Sequence, residues 1–138
     1  MTPRKVQPDK TWAALIGNPN SGKTAIFNLL TGLNQKVSNY PGVTVEKKIG
    51  KARSADGPSF DLLDLPGTYS LTPESIDERI VAEQVLSWIH GNKAPSVIVS
   101  VVDASNLSRN LYLTTQLADL GIPVVVALNM MDMVKDEL

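Results

Sequence analysis

The residues Gly17-Asn18-Pro19-Asn20-Ser21-Gly22-Lys23-Thr24 carry the spacing G-x-x-x-x-G-K-[ST], and the chemistry of that spacing is phosphate binding. Its glycines permit a tight backbone path that turns several N–H groups inward, and a helix opening at Lys23 adds the positive end of its dipole. The main chain from Gly17 to Ala25 is therefore expected to surround a polyphosphate. Lys23 is expected to reach the β and γ phosphates, and Thr24 to offer a hydroxyl to magnesium. An accidental glycine-rich turn would lack the apolar strand before it and the helix after it, both of which the sequence supplies.

Three further clusters extend this chemistry. Asp64-Leu65-Pro66-Gly67 directly follows an apolar run. Asp64 there can hold magnesium through a water, and the Gly67 N–H can meet a γ-phosphate and register its loss. Thr44 closes the polar stretch Tyr40-Pro41-Gly42-Val43-Thr44. A threonine so placed can ligate magnesium and bond the γ-phosphate, ordering its loop only with a triphosphate; the plainer reading is a β-favouring residue opening a strand. Asn129-Met130-Met131-Asp132 ends the last apolar run. Asp132 can accept two hydrogen bonds from the N1–H and exocyclic amine of guanine, a donor pair adenine lacks. Met130 stands where G proteins usually carry lysine; its unbranched stem can still pack on the base, without charge.

The position after Gly67 is Thr68, where many GTPases carry a glutamine that orients the attacking water. Threonine lacks that reach, so hydrolysis needs another source of transition-state stabilisation. Asn20 either holds a monovalent cation beside the phosphates through its amide oxygen or only shapes the turn. The expected reacting set is Asn20, Lys23, Thr44 and Gly67, with Thr24, Thr44 and Asp64 on magnesium and Asn129, Met130 and Asp132 at the base.

The elements that must position these residues alternate along the chain. Residues 12–16 are a short apolar strand, 23–30 a helix and 31–41 a polar loop. Residues 45–52 alternate apolar and polar, the pattern of a strand with one wet face. Asp56-Gly57 then marks a tight turn before a strand at 60–63, so the two form a hairpin. Thr72, Pro73 and Glu74 suit the start of a helix whose inner stripe is Ile76, Ile80, Val81, Val85 and Ile89, with His90-Gly91 ending it. Residues 97–102 form a β-branched run suited to a strand buried on both faces. Ser105 or Asn106 can cap a further helix with Leu107, Leu111, Leu117 and Leu120 inward, and residues 124–128 make a final buried strand. This order predicts an α/β domain with a mostly parallel sheet and one antiparallel edge hairpin. Ligands of such sheets lie beyond the carboxyl ends of the strands, where every cluster above falls.

A chain of 138 residues fits one domain, here read as residues 11–138 after a polar lead-in at 1–10. The net charge of −1 argues against a broad nucleic-acid or anionic-lipid surface. With no cysteine there is no disulfide, thiolate metal site or cysteine nucleophile. No apolar run approaches the ~18 residues of a membrane span, so this stretch reads as soluble. Lys47, Lys48, Lys51 and Arg53 read as the solvated face of the edge hairpin. Met130, Met131 and Met133 read as gap fillers and His90 as a helix-end residue.

The strings Gly17–Thr24, Asn39-Tyr40-Pro41-Gly42-Val43-Thr44-Val45-Glu46, Asp64-Leu65-Pro66-Gly67-Thr68-Tyr69-Ser70-Leu71 and Asn129-Met130-Met131-Asp132 resemble the bacterial ferrous-iron transport protein B family. The resemblance spans nearly the whole chain and accounts for Met130. It implies a P-loop NTPase of the Ras-like G-domain kind, at the cytoplasmic face of the bacterial inner membrane. It further implies a helical regulatory domain and a transmembrane iron-transport region beside it. GTP/GDP with magnesium is the implied ligand, and hydrolysis is implied to be slow and potassium-stimulated. Asn20 would be a potassium ligand, together with backbone carbonyls near Ser38 and Tyr40. Against the family pattern the chain stops short of the last base-binding loop, strand and helix, which predicts weakened nucleotide affinity and an apolar edge at 124–128 prone to homo-oligomerise. Two other functions remain compatible: a nucleotide-sensing module with negligible turnover, and a P-loop ATPase.

Overall fold

The fold, described from a computed structural model, covers residues 11–53, 55–91, 93–130 and 132. The expected lead-in at 1–10, Met131 and Met133 lie outside the described residues. Among the described residues six strands form one sheet in the order β2-β3-β4-β1-β5-β6. β1 (Trp12–Gly17), β4 (Phe60–Asp64), β5 (Val97–Asp103) and β6 (Val124–Asn129) run parallel, while β2 (Gln35–Asn39) and β3 (Glu46–Ala52) add an antiparallel edge.

β1 is the central strand, and its period-two alternation divides the core. Ala13 and Leu15 face α1 (Lys23–Thr31), packing with Phe27, Leu62 and Val101. Ala14 and Ile16 face the other way, packing with Val81 and Val85 of α2 (Ile76–Ile89) and Leu113 and Leu117 of α3 (Leu107–Ala118). Burying a side chain such as Phe27, which has no solvent exposure, contributes about 1.5–3 kcal/mol. α1 lies flat on β3 because Gly50 has no side chain: a Cβ there would come 2.5 Å from Thr31 Cγ2 and 3.0 Å from Phe27 Cζ.

The structure corrects four local expectations. β2 lies where a loop was expected. All five of its residues are exposed, so no hydrophobic period marks it, and pairing from Gln35↔Gly50 to Asn39↔Glu46 defines it instead. α2 starts at Ile76 with Ser75 as cap, its Oγ accepting the Glu78 N–H at 3.1 Å, rather than at Thr72-Pro73. That start turns Ile76 and Ile89 outward, at 59% and 51% exposure, and buries Glu78 and Trp88; Trp88 meets Trp12 edge to face at 5.7 Å. α3 follows a short 3-10 turn, Ala104–Asn106. Asn110, Leu113 and Leu117 point inward, Leu111 is 38% exposed, and the Asn106 side chain makes no capping bond. β6 is not buried: Val125, Val126 and Leu128 are 54%, 46% and 45% exposed, because its one partner among the described residues is β5.

Candidate functional site

β1, β4, β5 and β6 end on one side of the sheet, and the chemistry-bearing residues collect there. Gly17 closes β1 at a point with no room for a side chain: a Cβ would lie 2.9 Å from both Ser21 Oγ and Val101 O. The following turn carries Asn20 at φ +65° and Gly22 at φ +89°, left-handed conformations that help turn successive amides toward one side. The first bond of α1 runs from Ile26 N–H to Gly22 O, so the amides of Lys23, Thr24 and Ala25 stand free of the helix ladder at its positive end. Among the described residues no side chain caps this helix. Asn18 and Ser21 are buried, and the amide atoms of the first and the hydroxyl of the second have no hydrogen-bond partner among the described residues.

Over the turn lies a cavity of about 540 Å³ lined by Asn18, Pro19, Asn20, Gly22, Lys23, Thr24 and Gly67, among others. A second, of about 370 Å³, is lined by Lys23, Thr24, Thr44, Asp64, Leu65 and Pro66, with neighbours from β3. Lys23 Nζ donates to Asp64 Oδ1 at 2.5 Å, with the two side chains 10% and 5% exposed. Thr24, Thr44 and Asp64 line one cavity, and hydroxyl and carboxylate oxygens are the donor types that suit a hard divalent cation such as magnesium.

The Asp64–Gly67 segment is stitched to β1. Leu65 N–H donates to Leu15 O at 3.1 Å and Thr68 N–H to Gly17 O at 3.0 Å. A Cβ on Gly67 would lie 3.0 Å from Pro19 Cα, so its backbone rides against the Gly17–Thr24 turn. The Leu65 side chain is fully buried in the core, leaving only its main chain for a ligand. Thr68 is fully buried, its hydroxyl shared between Ser70 O at 2.7 Å and Glu78 Oε2 at 3.2 Å. Glu78 also accepts the N–H of Tyr69 at 3.0 Å and of Glu74 at 2.9 Å. The Tyr69 N–H bond foremost, with those from Glu74 and Thr68, lowers the Glu78 carboxyl below its ordinary 4.5 against an opposing effect of burial.

The loop before Thr44 turns through Pro41 and Gly42, the latter at φ +78°, closed by Val43 N–H to Tyr40 O at 3.3 Å. Pro before a left-handed Gly is the residue pattern of a type II turn. Thr44 lines the second cavity; Pro41, Gly42 and Val43 line neither. Ser38 sits in β2 opposite Lys47, and neither it nor Tyr40 lines either cavity. The Tyr40 phenol is buried and pushed up to about 12, by desolvation first and then by the Asp64 charge.

At the far end, the Asn129 side chain donates to Ser21 O at 3.0 Å, and a Cβ on Gly22 would fall 1.9 Å from its Nδ2. Met130, at φ +63°, lines the first cavity, and Asp132 is exposed. Two residues escaped the sequence reading. Asp77 lines both cavities, and Glu78 holds the loop after Gly67. Both follow from the Ser75-x-x-Glu78 capping pattern, which a helix begun at Thr72 conceals.

The family described as Ferrous iron transport protein B matches residues 11–138. The Fe(2+) transporter FeoB of Salmonella typhimurium is 52% identical over 132 residues, covering 93% of this chain and 16% of that protein. The cytosolic domain of L. pneumophila FeoB superposes with a TM-score of 0.81 at 51% identity, over 92% of this chain and 49% of that one. A GDP-bound variant of the S. thermophilus FeoB G-domain gives 0.80 at 52%, over 92% of this chain and 46% of the other. The chain thus spans a small part of the curated relatives it matches.

Proposed function

The chain belongs to the ferrous iron transport protein B family, and from that premise we propose that it is a switch that binds GTP with magnesium and hydrolyses it to GDP and phosphate. In the longer protein this switch governs ferrous iron movement across the bacterial inner membrane, from the cytoplasmic face, through a helical regulatory domain and a transmembrane region. One observation carries the reading: the left-handed turn at Asn20 and Gly22 opens onto free helix amides while Lys23, Thr24, Thr44 and Asp64 surround the adjoining cavity. The GDP bound to the related S. thermophilus domain supports guanine as the base.

The turn amides and the α1 N-terminus hold the phosphates, and Lys23 leaves Asp64 to reach them. Thr24, Thr44 and Asp64 hold magnesium, which supplies charge neutralisation on the phosphate oxygens when bound. The Gly67 amide and the Thr44 loop follow the γ-phosphate. Asn129 fixes the turn to the base corner and Asp132 selects guanine over adenine. With Thr68 turned into its own loop, the monovalent cation held by Asn20, with potassium the proposed ion, supplies the positive charge that a glutamine-bearing GTPase does not need.

Titration of a fluorescent guanine nucleotide tests the binding site. Lys23→Ala is expected to abolish tight binding, and affinity equal to the parent's would overturn the proposal. Phosphate release measured in potassium and in sodium tests the chemistry. Faster release in potassium is expected; no release in either salt would point to a binding-only module.

A further inference from the structure

The segment from Gly67 to Ser75 joins the phosphate end of β4 to α2, and side chains from two helices meet its backbone donors. Glu78 of α2 takes the N–H groups of Tyr69 and Glu74. From α3, Gln116 Oε1 accepts the Leu71 N–H at 2.9 Å across 45 positions of sequence, partly buried. The Arg109 guanidinium lies 4.2 Å from the centroid of the Tyr69 ring, within cation–π range.

α3 is itself anchored to the sheet. Leu113 and Leu117 are buried in the core, Asn110 Oδ1 accepts the Asp103 N–H at 3.0 Å, and the Ser100 and Thr114 hydroxyls meet at 2.9 Å. The segment is therefore held between a helix continuous with it and a second helix rooted elsewhere in the fold. Any displacement of Gly67 that follows the γ-phosphate works against the contacts to α3 as well as those to α2.

We infer that Gln116 and Arg109 are positioning residues for nucleotide sensing, holding Leu71 and Tyr69 against α3 and so setting where the Gly67 amide sits and how readily it moves. This rests on the GTP-switch reading and assigns α3 as the fixed reference against which the switch segment operates. The hydrogen bond is specific to an acceptor at Gln116, and the ring contact to a cation at Arg109. Both requirements can be separated from packing.

The test compares Gln116→Ala, Gln116→Glu, Arg109→Ala and Arg109→Lys in the full chain. Three quantities are read: hydrogen exchange at the Leu71 amide, affinities for fluorescent GDP and a non-hydrolysable GTP analogue, and kcat and KM for GTP. Gln116→Ala and Arg109→Ala are expected to shift kcat or the ratio of the two affinities by about fivefold or more, with GDP affinity kept within about twofold. Gln116→Glu, which keeps the acceptor, and Arg109→Lys, which keeps the cation, are expected to restore parental behaviour. Two results would overturn the inference: faster exchange at Leu71 in Gln116→Ala with kcat and the affinity ratio unchanged, or a Gln116→Glu chain as impaired as Gln116→Ala. A parent that binds no guanine nucleotide would instead overturn the switch reading, and this inference with it.

Discussion

Asn129, the last residue of β6, donates its side-chain amide to the main-chain oxygen of Ser21 at 3.0 Å, joining positions 108 residues apart. The corner proposed to read the base and the turn proposed to hold the phosphates are thereby one piece of structure. Asn129 and Asp132, three positions apart in the same motif, then have separable proposed roles. Asn129→Ala removes a bond worth ~0.5–1.5 kcal/mol and loosens the turn. It is expected to weaken GDP and ADP alike, by about five- to tenfold. Asp132→Ala is expected to remove the preference for guanine while leaving adenine nucleotide binding in place. Competition titrations with the two nucleotides check both, and a loss of GDP alone in Asn129→Ala would contradict the division.

Gly67 touches the Gly17–Thr24 turn through backbone. An alanine Cβ would stand 3.0 Å from Pro19 Cα and 3.1 Å from Pro19 N, atoms that cannot swing aside. Gly67→Ala is expected to lift the segment away from the turn and cut the preference for a GTP analogue over GDP, on the order of tenfold. GDP affinity should change little, since on the proposed reading the Gly67 amide meets the γ-phosphate and GDP has none. Equal weakening for both nucleotides would mean that the substitution damaged the turn itself.

The carboxylate of Glu78 gives the Gly67–Ser75 segment a pH dependence of its own. Its folded value lies below the ordinary 4.5, so ionised Glu78 stabilises the fold above the ordinary glutamate range. That contribution is lost as pH falls through the lower folded value. Exchange at the Tyr69 amide is expected to stay protected down to about pH 4.5 and to open below it. In Glu78→Gln one acceptor oxygen replaces two. The chain is expected to lose ~1–3 kcal/mol of stability at neutral pH, with the acid transition of the segment flattened.

β6 presents Val125, Val126 and Leu128 about half exposed along an unpaired edge among the described residues. Such an edge pairs readily with another chain. Light scattering of the 138-residue chain is expected to show association that rises with concentration. A lysine at Val126 is expected to suppress it.

The Gly17–Thr24 turn was legible because its geometry is nearly all backbone. Glycines at 17 and 22 and a lysine-threonine pair opening a helix leave few ways to fold between a strand and a helix, and the observed φ of +89° at Gly22 is a conformation glycine tolerates. The four parallel strands were legible because they are apolar runs with helices between them. β2 was not legible, since a five-residue strand with every side chain exposed carries no hydrophobic period and owes its existence to the neighbour it pairs with. The start of α2 was misplaced because Thr72, Pro73 and Ser75 all offer helix-opening chemistry. Only the pairing of Ser75 Oγ with Glu78 N–H decides among them, and with it the inward or outward facing of Ile76, Asp77 and Glu78.

The sequence by itself determined which groups are proposed to carry the chemistry: the amides and lysine of the turn, the hydroxyls of Thr24 and Thr44, and the carboxylates of Asp64 and Asp132. Local spacing and backbone preference suffice for that, because each group acts from within its own short segment. Tertiary structure alone decided how those segments hold one another: Lys23 on Asp64, Asn129 on Ser21, Gln116 on Leu71 and Arg109 over Tyr69. These contacts join positions far apart in the chain, and their partners are set by strand order and helix register, which no local pattern encodes.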